Sequence, residues 1–246
     1  LAACMMFSLS APALAASTDA LLQQSTAAKS AVSVLDMQND ISESVTTMDL
    51  RNGSIIVSVE NGQQYAEQKN IKQQISDLVV TTNNDETANT LTIEGGTTGA
   101  KVTLSNVKIE TTSNAAVSVS GKVELVIEGT NILHSGWGHA GVEKADDNGT
   151  LTISGSGTLE AYGGYWGAGI GSGSEKGCSN IVIESGTITA KGGDLGAGIG
   201  GGQLAAGQNI TIRDGNVTAI PGREAAGIGG GSRGDGKNIT IEGGTV

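Results

Sequence analysis

From Ser54 the chain is a succession of short stretches in which apolar residues alternate with small or polar ones: SIIVSV, DLVVTT, NTLTIEGG, AKVTLSNVKIETT, AAVSVSG and VELVIEG. Such alternation over four to eight residues predicts β-strands with one buried face, and no stretch shows a 3.6-residue helical period. Further along, the pattern repeats. The string GAGIG runs from Gly167 to Gly171, returns from Gly196 to Gly200, and reappears as AAGIG from Ala225 to Gly229. The same spacing carries Asn180, Asn209 and Asn238, the pairs Ile181/Ile183, Ile210/Ile212 and Ile239/Ile241, and Gly186, Gly215 and Gly244. A fixed period of this size, about 29 residues, marks a repeat architecture.

One period holds three alternating segments, NIVIESG, TITAKGG and DLGAGIGGG, each ended by glycine. Three short strands per turn predict a coil whose turns hydrogen-bond to one another at about 4.8 Å. The expected fold is all-β: a right-handed parallel β-helix, or β-solenoid, of about 29-residue turns with a short N-terminal leader or cap. Asn180, Asn209 and Asn238 should stack at a corner and bond amide to amide. Ile183, Ile212 and Ile241 should stack inward, as should Ile170, Ile199 and Ile228. Gly169, Gly198 and Gly227 provide positive φ or close backbone approach. Before the regular tract, Leu104, Ile127, Ile153 and Ile183 read as one column whose spacing widens until the period locks in. The stretch ENGQQYAEQKNIKQQ, Glu60 to Gln74, reads as a loop or a short helix interrupting the strands.

The first residues, LAACMMFSLSAPALAAS, carry no charge and end in small residues, as the apolar core and cleavage region of a secretory signal peptide do. The run is too short to span a membrane. The chain divides into residues 1–16, a partial signal peptide; 17–51, a leader or helical cap; and 52–246, the repeat domain. Starting at Leu1 and ending within a repeat strand, it is expected to be part of a longer exported protein. Composition fits export: glycine is 39 of 246 residues and aromatics are 2%. The net charge of -11 argues against nucleic acid and anionic membranes as partners. Once Cys4 leaves with the signal peptide, no intrachain disulfide is expected, and Cys178 aligns with Gly207 and Gly236 as a small corner residue.

The stretches VTLSNVKIETTSNAAVSVSGKVELVIEGTNIL and HAGVEKADDNGTLTISGSGTLEAYGG, followed by GAGIG and NITIRDGNVTA, resemble the β-helical repeat domains of exported Gram-positive cell-surface proteins. These are carbohydrate-binding-domain or adhesin-like proteins of the pectin-lyase-like superfamily. The resemblance covers about residues 52–246 and implies a secreted, surface-associated location. Its repeat residues are structural and do not name a ligand.

Beyond the signal peptide the chain has five residues of the Phe, Tyr and Trp types, and four fall close together: Trp137, Tyr162, Tyr165 and Trp166. Tyr162 aligns with Lys191 and Ile220, Tyr165 with Asp194 and Arg223, and Trp166 with Leu195 and Glu224, mostly polar partners that mark an exposed corner. Trp137 precedes Trp166 by one full period, so the two indoles should be neighbours, and His139 takes the place of Gly167, Gly196 and Ala225. Flat amphipathic rings on a rigid scaffold suit the C–H face of a sugar and equally a protein contact. The candidate carbohydrate-binding residues are therefore Trp137, His139, Tyr162, Tyr165 and Trp166. The expected partner is polysaccharide, as a host or cell-wall glycan, with other surface proteins the alternative and no membrane insertion.

Charged columns read as structural. Glu184, Arg213 and Glu242 share one column and Asp194 and Arg223 another, so opposite charges meet on successive turns. EKADDNG, Glu143 to Gly149, lacks the spacing of a calcium loop and reads as a solvated turn; no cofactor or metal is expected. His134 and His139 are the only histidines, and no column pairs two acids beside a basic residue as polysaccharide-cleaving enzymes require. The expectation is a non-catalytic binding or adhesion module. A stalk that projects other domains, and the scaffold of a lyase or glycosidase whose active part lies elsewhere, are the alternatives.

Overall fold

A computed structural model of the chain describes residues 45–144, 146 and 148–246. Residues 1–16, read as a signal peptide, and residues 17–44 of the expected leader lie outside the described residues. The described chain coils through about seven turns into a parallel β-helix. Three sheets run its length. The first has eight strands, from Val45–Asp49 to Gly236–Ile241; the second nine, ending at Ile228–Gly229; the third six, from Glu86–Thr87 to Asn216–Ile220. Each turn visits the first, third and second sheets in that order. The coil thus already begins at Val45, within the stretch read as leader or cap.

Alternation sets the burial. In the first sheet Leu78, Val102, Leu125, Ile153, Ile183 and Ile212 stack inward, all essentially buried. Each such side chain removed from water stabilises the fold by about 1.5–3 kcal/mol. The steps along that column, continued to Ile241, are short before Leu125, longer after it, and equal from Ile183 onward. Leu104 faces Ile127 as expected, but Ile127 faces Gly155 and not Ile153, which pairs with Leu125. A two-residue slip keeps every side chain on its own face, so alternation alone does not choose between these registers. Close approach does: a Cβ on Gly155 would stand 2.2 Å from the Ile127 carbonyl oxygen.

The extra residues of the later turns lie mainly between the second and first sheets. That connection is residues 121–122 in one early turn and 201–206 in a later one. The longer connections fold back over the corner that follows the third sheet: the Ser174 N–H donates to Gly138 O at 3.0 Å, Gln203 N–H to Trp166 O at 2.8 Å, and Ser232 N–H to Leu195 O at 2.9 Å.

Glu60 to Gln74 is neither loop nor helix. Gln63–Gln68 and Ile71–Gln74 form antiparallel strands that add to Ile55–Glu60 and cover the N-terminal edge of the second sheet. Two tight turns make this possible, Asn61-Gly62 (φ 51 and 77) and Lys69-Asn70 (φ 53 and 63), since paired positive φ values match the twist of a hairpin. Gln64 exchanges two side-chain hydrogen bonds with the Lys101 backbone, 3.0 and 2.7 Å, and ties the hairpin to the first sheet. In the first turn the third-sheet place is taken by a 3-10 turn, Leu50–Asn52, which buries Leu50.

The asparagine ladder is present. Asn209 Nδ2 donates to Asn180 Oδ1 at 3.1 Å, and Asn238 Nδ2 to Asn209 Oδ1 at 2.9 Å. All three have φ between 52 and 59, the left-handed corner asparagine tolerates best among side-chain-bearing residues. Cys178 stacks with Gly207 and Gly236 in a column of small residues, buried at the first two.

Two substitutions separate these effects in urea denaturation. Asn209→Ala should cost about 2 kcal/mol, roughly half from positive φ and half from the ladder hydrogen bonds. Gly193→Ala would place a Cβ 1.8 Å from Gly164 O and should unfold the coil at markedly lower urea, whereas Gly177→Ala, with nothing within 4 Å, should stay within about 0.5 kcal/mol of the parent.

Candidate functional site

The aromatic residues sit where the third sheet hands the chain to the second. In the third sheet Thr130 faces Thr158 and His134 faces Tyr162. Carried past the strand ends, that register places Trp137 on Tyr165 and not on Trp166, as the regular period would have it. The rings of Trp137 and Tyr165 stack at 4.8 Å with 9° between planes, and Trp166 stands edge-on to both, at 5.2 and 6.0 Å. Trp137 is 60% and Tyr165 40% exposed, while Trp166 is half-buried. Stacking uses one face of each ring. The other face of Trp137 looks along the axis toward the preceding corner, where Thr112, Ser113 and Asn114 are short and exposed. Backbone bonds fix that neighbour: Trp137 N–H donates to Thr112 O and Gly136 N–H to Asn114 O.

Tyr162 lies at the end of its strand and not in the corner. It stacks on His134 at 4.2 Å and 4°, the partner that the strand register gives it. The Tyr162 hydroxyl donates to Glu160 Oε2 at 2.7 Å, and that carboxylate, with burial, pushes the phenol above its ordinary pKa. His134, Tyr162, Tyr165, Lys191, Asp194 and Arg223, on successive turns, line an open groove of about 710 Å3 together with bare glycine backbone at Gly163, Gly192 and Gly193. Asp194 accepts from Arg223 Nε at 2.8 Å and Nη2 at 2.5 Å. The guanidinium, aided by the Tyr165 hydroxyl, holds the Asp194 carboxyl below the usual carboxylate range. Lys108 does the same to Glu86 on the third sheet, and Arg213 bridges Glu184 at 2.5 Å and Glu242 at 3.5 Å.

His139 does follow Trp137 in the tight turn 136–139, and its Nδ1 lies 2.9 Å from the buried Glu143 carboxylate. Glu143 escaped the sequence reading, although its signal is legible: it occupies a column that later turns fill with Gly171, Gly200 and Gly229. The neighbouring Lys144 is fully buried on the inward side of the second sheet, opposite Val119. Its ammonium donates to Asp146 Oδ1 at 2.6 Å and to the carbonyls of Asp146 and Asn148 at 2.9 and 3.0 Å. The loop read as solvated therefore closes around a fixed internal cation, with Asp146 Oδ2 also accepting from Gly121 N–H.

Lys144→Met should cost on the order of 3 kcal/mol in chemical denaturation, because it leaves the Asp146 carboxylate and two backbone carbonyls without their cation. Depressed carboxyls stabilise the fold above their unfolded pKa and lose that contribution as pH falls through the folded value. The thermal midpoint should therefore be level from about pH 5 to 8 and fall below about pH 4, less steeply in Asp194→Asn.

A family model described as a beta helix repeat matches residues 151–174, 181–203 and 210–232, a region that includes Tyr162, Tyr165 and Trp166 and stops short of Trp137 and His139. No curated protein and no solved structure matches the chain. A fold of this kind is consistent with a binding or a structural module, and β-helix repeats occur in enzymes and non-enzymes alike. The three matched copies, together with the stacked sheets that contain them, make the chain a β-helical repeat protein.

Proposed function

We propose that the chain is an exported, surface-associated binding module that recognises polysaccharide at the Trp137 corner without cleaving it. The observation that carries this reading is the exposed Trp137–Tyr165 stack, braced edge-on by Trp166 and seated on hydrogen-bonded backbone. Large exposed rings on a rigid corner are costly to leave in water and suit a ligand with a flat apolar face. The C–H face of a sugar ring meets the open side of Trp137, while Thr112, Ser113 and Asn114 offer hydroxyl and amide groups to its edge. The adjoining groove continues the track along the coil for further residues of a polymer. Export rests on the apolar run and small residues of positions 1–16.

A stalk that merely projects other domains is the competing reading, favoured by the regular rungs beyond Ile183. Residues 16–246 should bind at least one member of a glycan array or an insoluble-polysaccharide panel. Trp137→Ala/Tyr165→Ala should abolish that binding while circular dichroism and thermal midpoint stay near the parent's. A well-folded parent that binds no glycan supports the stalk, and release of reducing ends or unsaturated products from the panel identifies an enzyme.

A further inference from the structure

Two small-residue columns of the coil are broken in a single turn, and the residues that break them bond to each other. Glu143 stands where the next three rungs have Gly171, Gly200 and Gly229. His139 stands where they have Gly167, Gly196 and Ala225. The Glu143 side chain is 6% exposed. Its Oε2 lies 2.9 Å from His139 Nδ1 and accepts from the Ala140 N–H at 3.1 Å, and Lys176 Nζ lies 3.8 Å from Oε1. Gly173 closes over the group: a Cβ there would come within 3.1 Å of the same Oε2. A carboxylate this far from water needs charged or polar groups around it, and three surround this one.

We propose that Glu143 is a positioning residue that sets His139 as a hydrogen-bond acceptor for the ligand. The inference rests on the glycan reading of the Trp137 corner. An ionised carboxylate only accepts, so the imidazole turns its Nδ1–H toward Glu143. A neutral ring that donates from Nδ1 carries its lone pair on Nε2. The imidazole is 33% exposed, and the turn that carries it is closed by the His139 N–H to Gly136 O bond at 3.1 Å, with Trp137 inside the same turn. Nε2 therefore accepts a hydrogen bond from a sugar hydroxyl beside the ring stacked on Trp137. The ligand class this selects is a neutral glycan with a hydroxyl next to its apolar face. A lone pair at that point repels the carboxylate or sulfate of an acidic polymer, and the net charge of -11 acts in the same sense.

The test uses residues 16–246 at pH 8 and four neutral hexaoses as probes, of the β-1,4-glucan, β-1,3-glucan, β-1,4-xylan and β-1,4-mannan types. Long-range proton–nitrogen NMR of the histidines should show His139 protonated at Nδ1 and bare at Nε2, and the Nε2 signal should move when a binding hexaose is added. His139→Ala should weaken that hexaose about tenfold, the equivalent of one lost hydrogen bond, and His139→Gln should recover part of the loss. Glu143→Gln, whose amide can also donate to Nδ1, should shift the tautomer and weaken binding severalfold. If that variant fails to fold, the wild-type NMR signature and the two His139 variants decide. A hexaose that needs Trp137 and Tyr165 but binds His139→Ala unchanged overturns this inference and leaves the glycan reading standing. A doubly protonated imidazole, or an Nε2 signal that ignores the bound sugar, overturns it as well. If none of the hexaoses binds, or binding ignores the Trp137→Ala/Tyr165→Ala change, the glycan reading falls and this inference with it.

Discussion

Every feature of this chain is subordinate to one requirement: the peptide groups of each rung find their partners on the rungs before and after it. Parallel pairing at about 4.8 Å leaves no freedom in how far one turn lies from the next. Side chains then have no choice of neighbour. A residue meets whatever stands at its register position one turn away, so asparagine meets asparagine at one corner and Asp194 meets Arg223 at another. The interior is narrow, and Ile, Val, Leu and Ala fill it without large aromatics. Glycine appears where neighbouring backbones approach too closely for a Cβ, as at Gly155 and Gly193.

This requirement explains which parts of the structure could be read from the sequence. Where rungs have equal length, the period names both the column and its members, so the ladders beyond Ile183 were legible to the residue. Where rung length changes, the period is silent. Ile153 could face Ile127 or Leu125 at equal hydrophobic advantage, and the contact that decides between them belongs to Gly155, which has no side chain to pattern. Trp137 shows the same effect on a smaller scale: Trp166, the neighbour that the period names, does stand edge-on beside it, while the strand register stacks Tyr165 on its face. Its rung is one position shorter than the regular period, as the pairing of His134 with Tyr162 shows. The N-terminal hairpin did carry a local signal, Asn61-Gly62, but its strands are mostly polar and lack the alternation that marks the rest.

The candidate site shows the same logic from the other side. Trp137, His139 and Glu143 are departures from what the later rungs put at equivalent positions, and they gather in one turn with Tyr165 and Trp166 on the next. A repeat tolerates such departures because a rung contacts only its neighbours. The site has required local changes: a buried acid in a glycine column, an imidazole in the next, and a fully buried lysine that gathers three oxygens of its own loop. None of these is visible as a motif. Each is visible as a broken column once the register is known.

The change in rung length has a consequence for how such a chain can vary. From Ile183 onward the rungs are nearly interchangeable in backbone, since Ile183, Ile212 and Ile241 follow one another at equal spacing. Removing or duplicating one whole repeat unit there leaves the backbone pairing, the isoleucine column and the asparagine ladder in kind. The rung between Leu125 and Ile153 is different. It must fit a shorter neighbour on one side, Val102 to Leu125, and a longer one on the other, Ile153 to Ile183, and it carries Trp137. Insertions and deletions of whole units can therefore slide the C-terminal tract nearer to or farther from the aromatic corner in steps of one rung, while the corner itself stays anchored at the junction between narrow and wide coil.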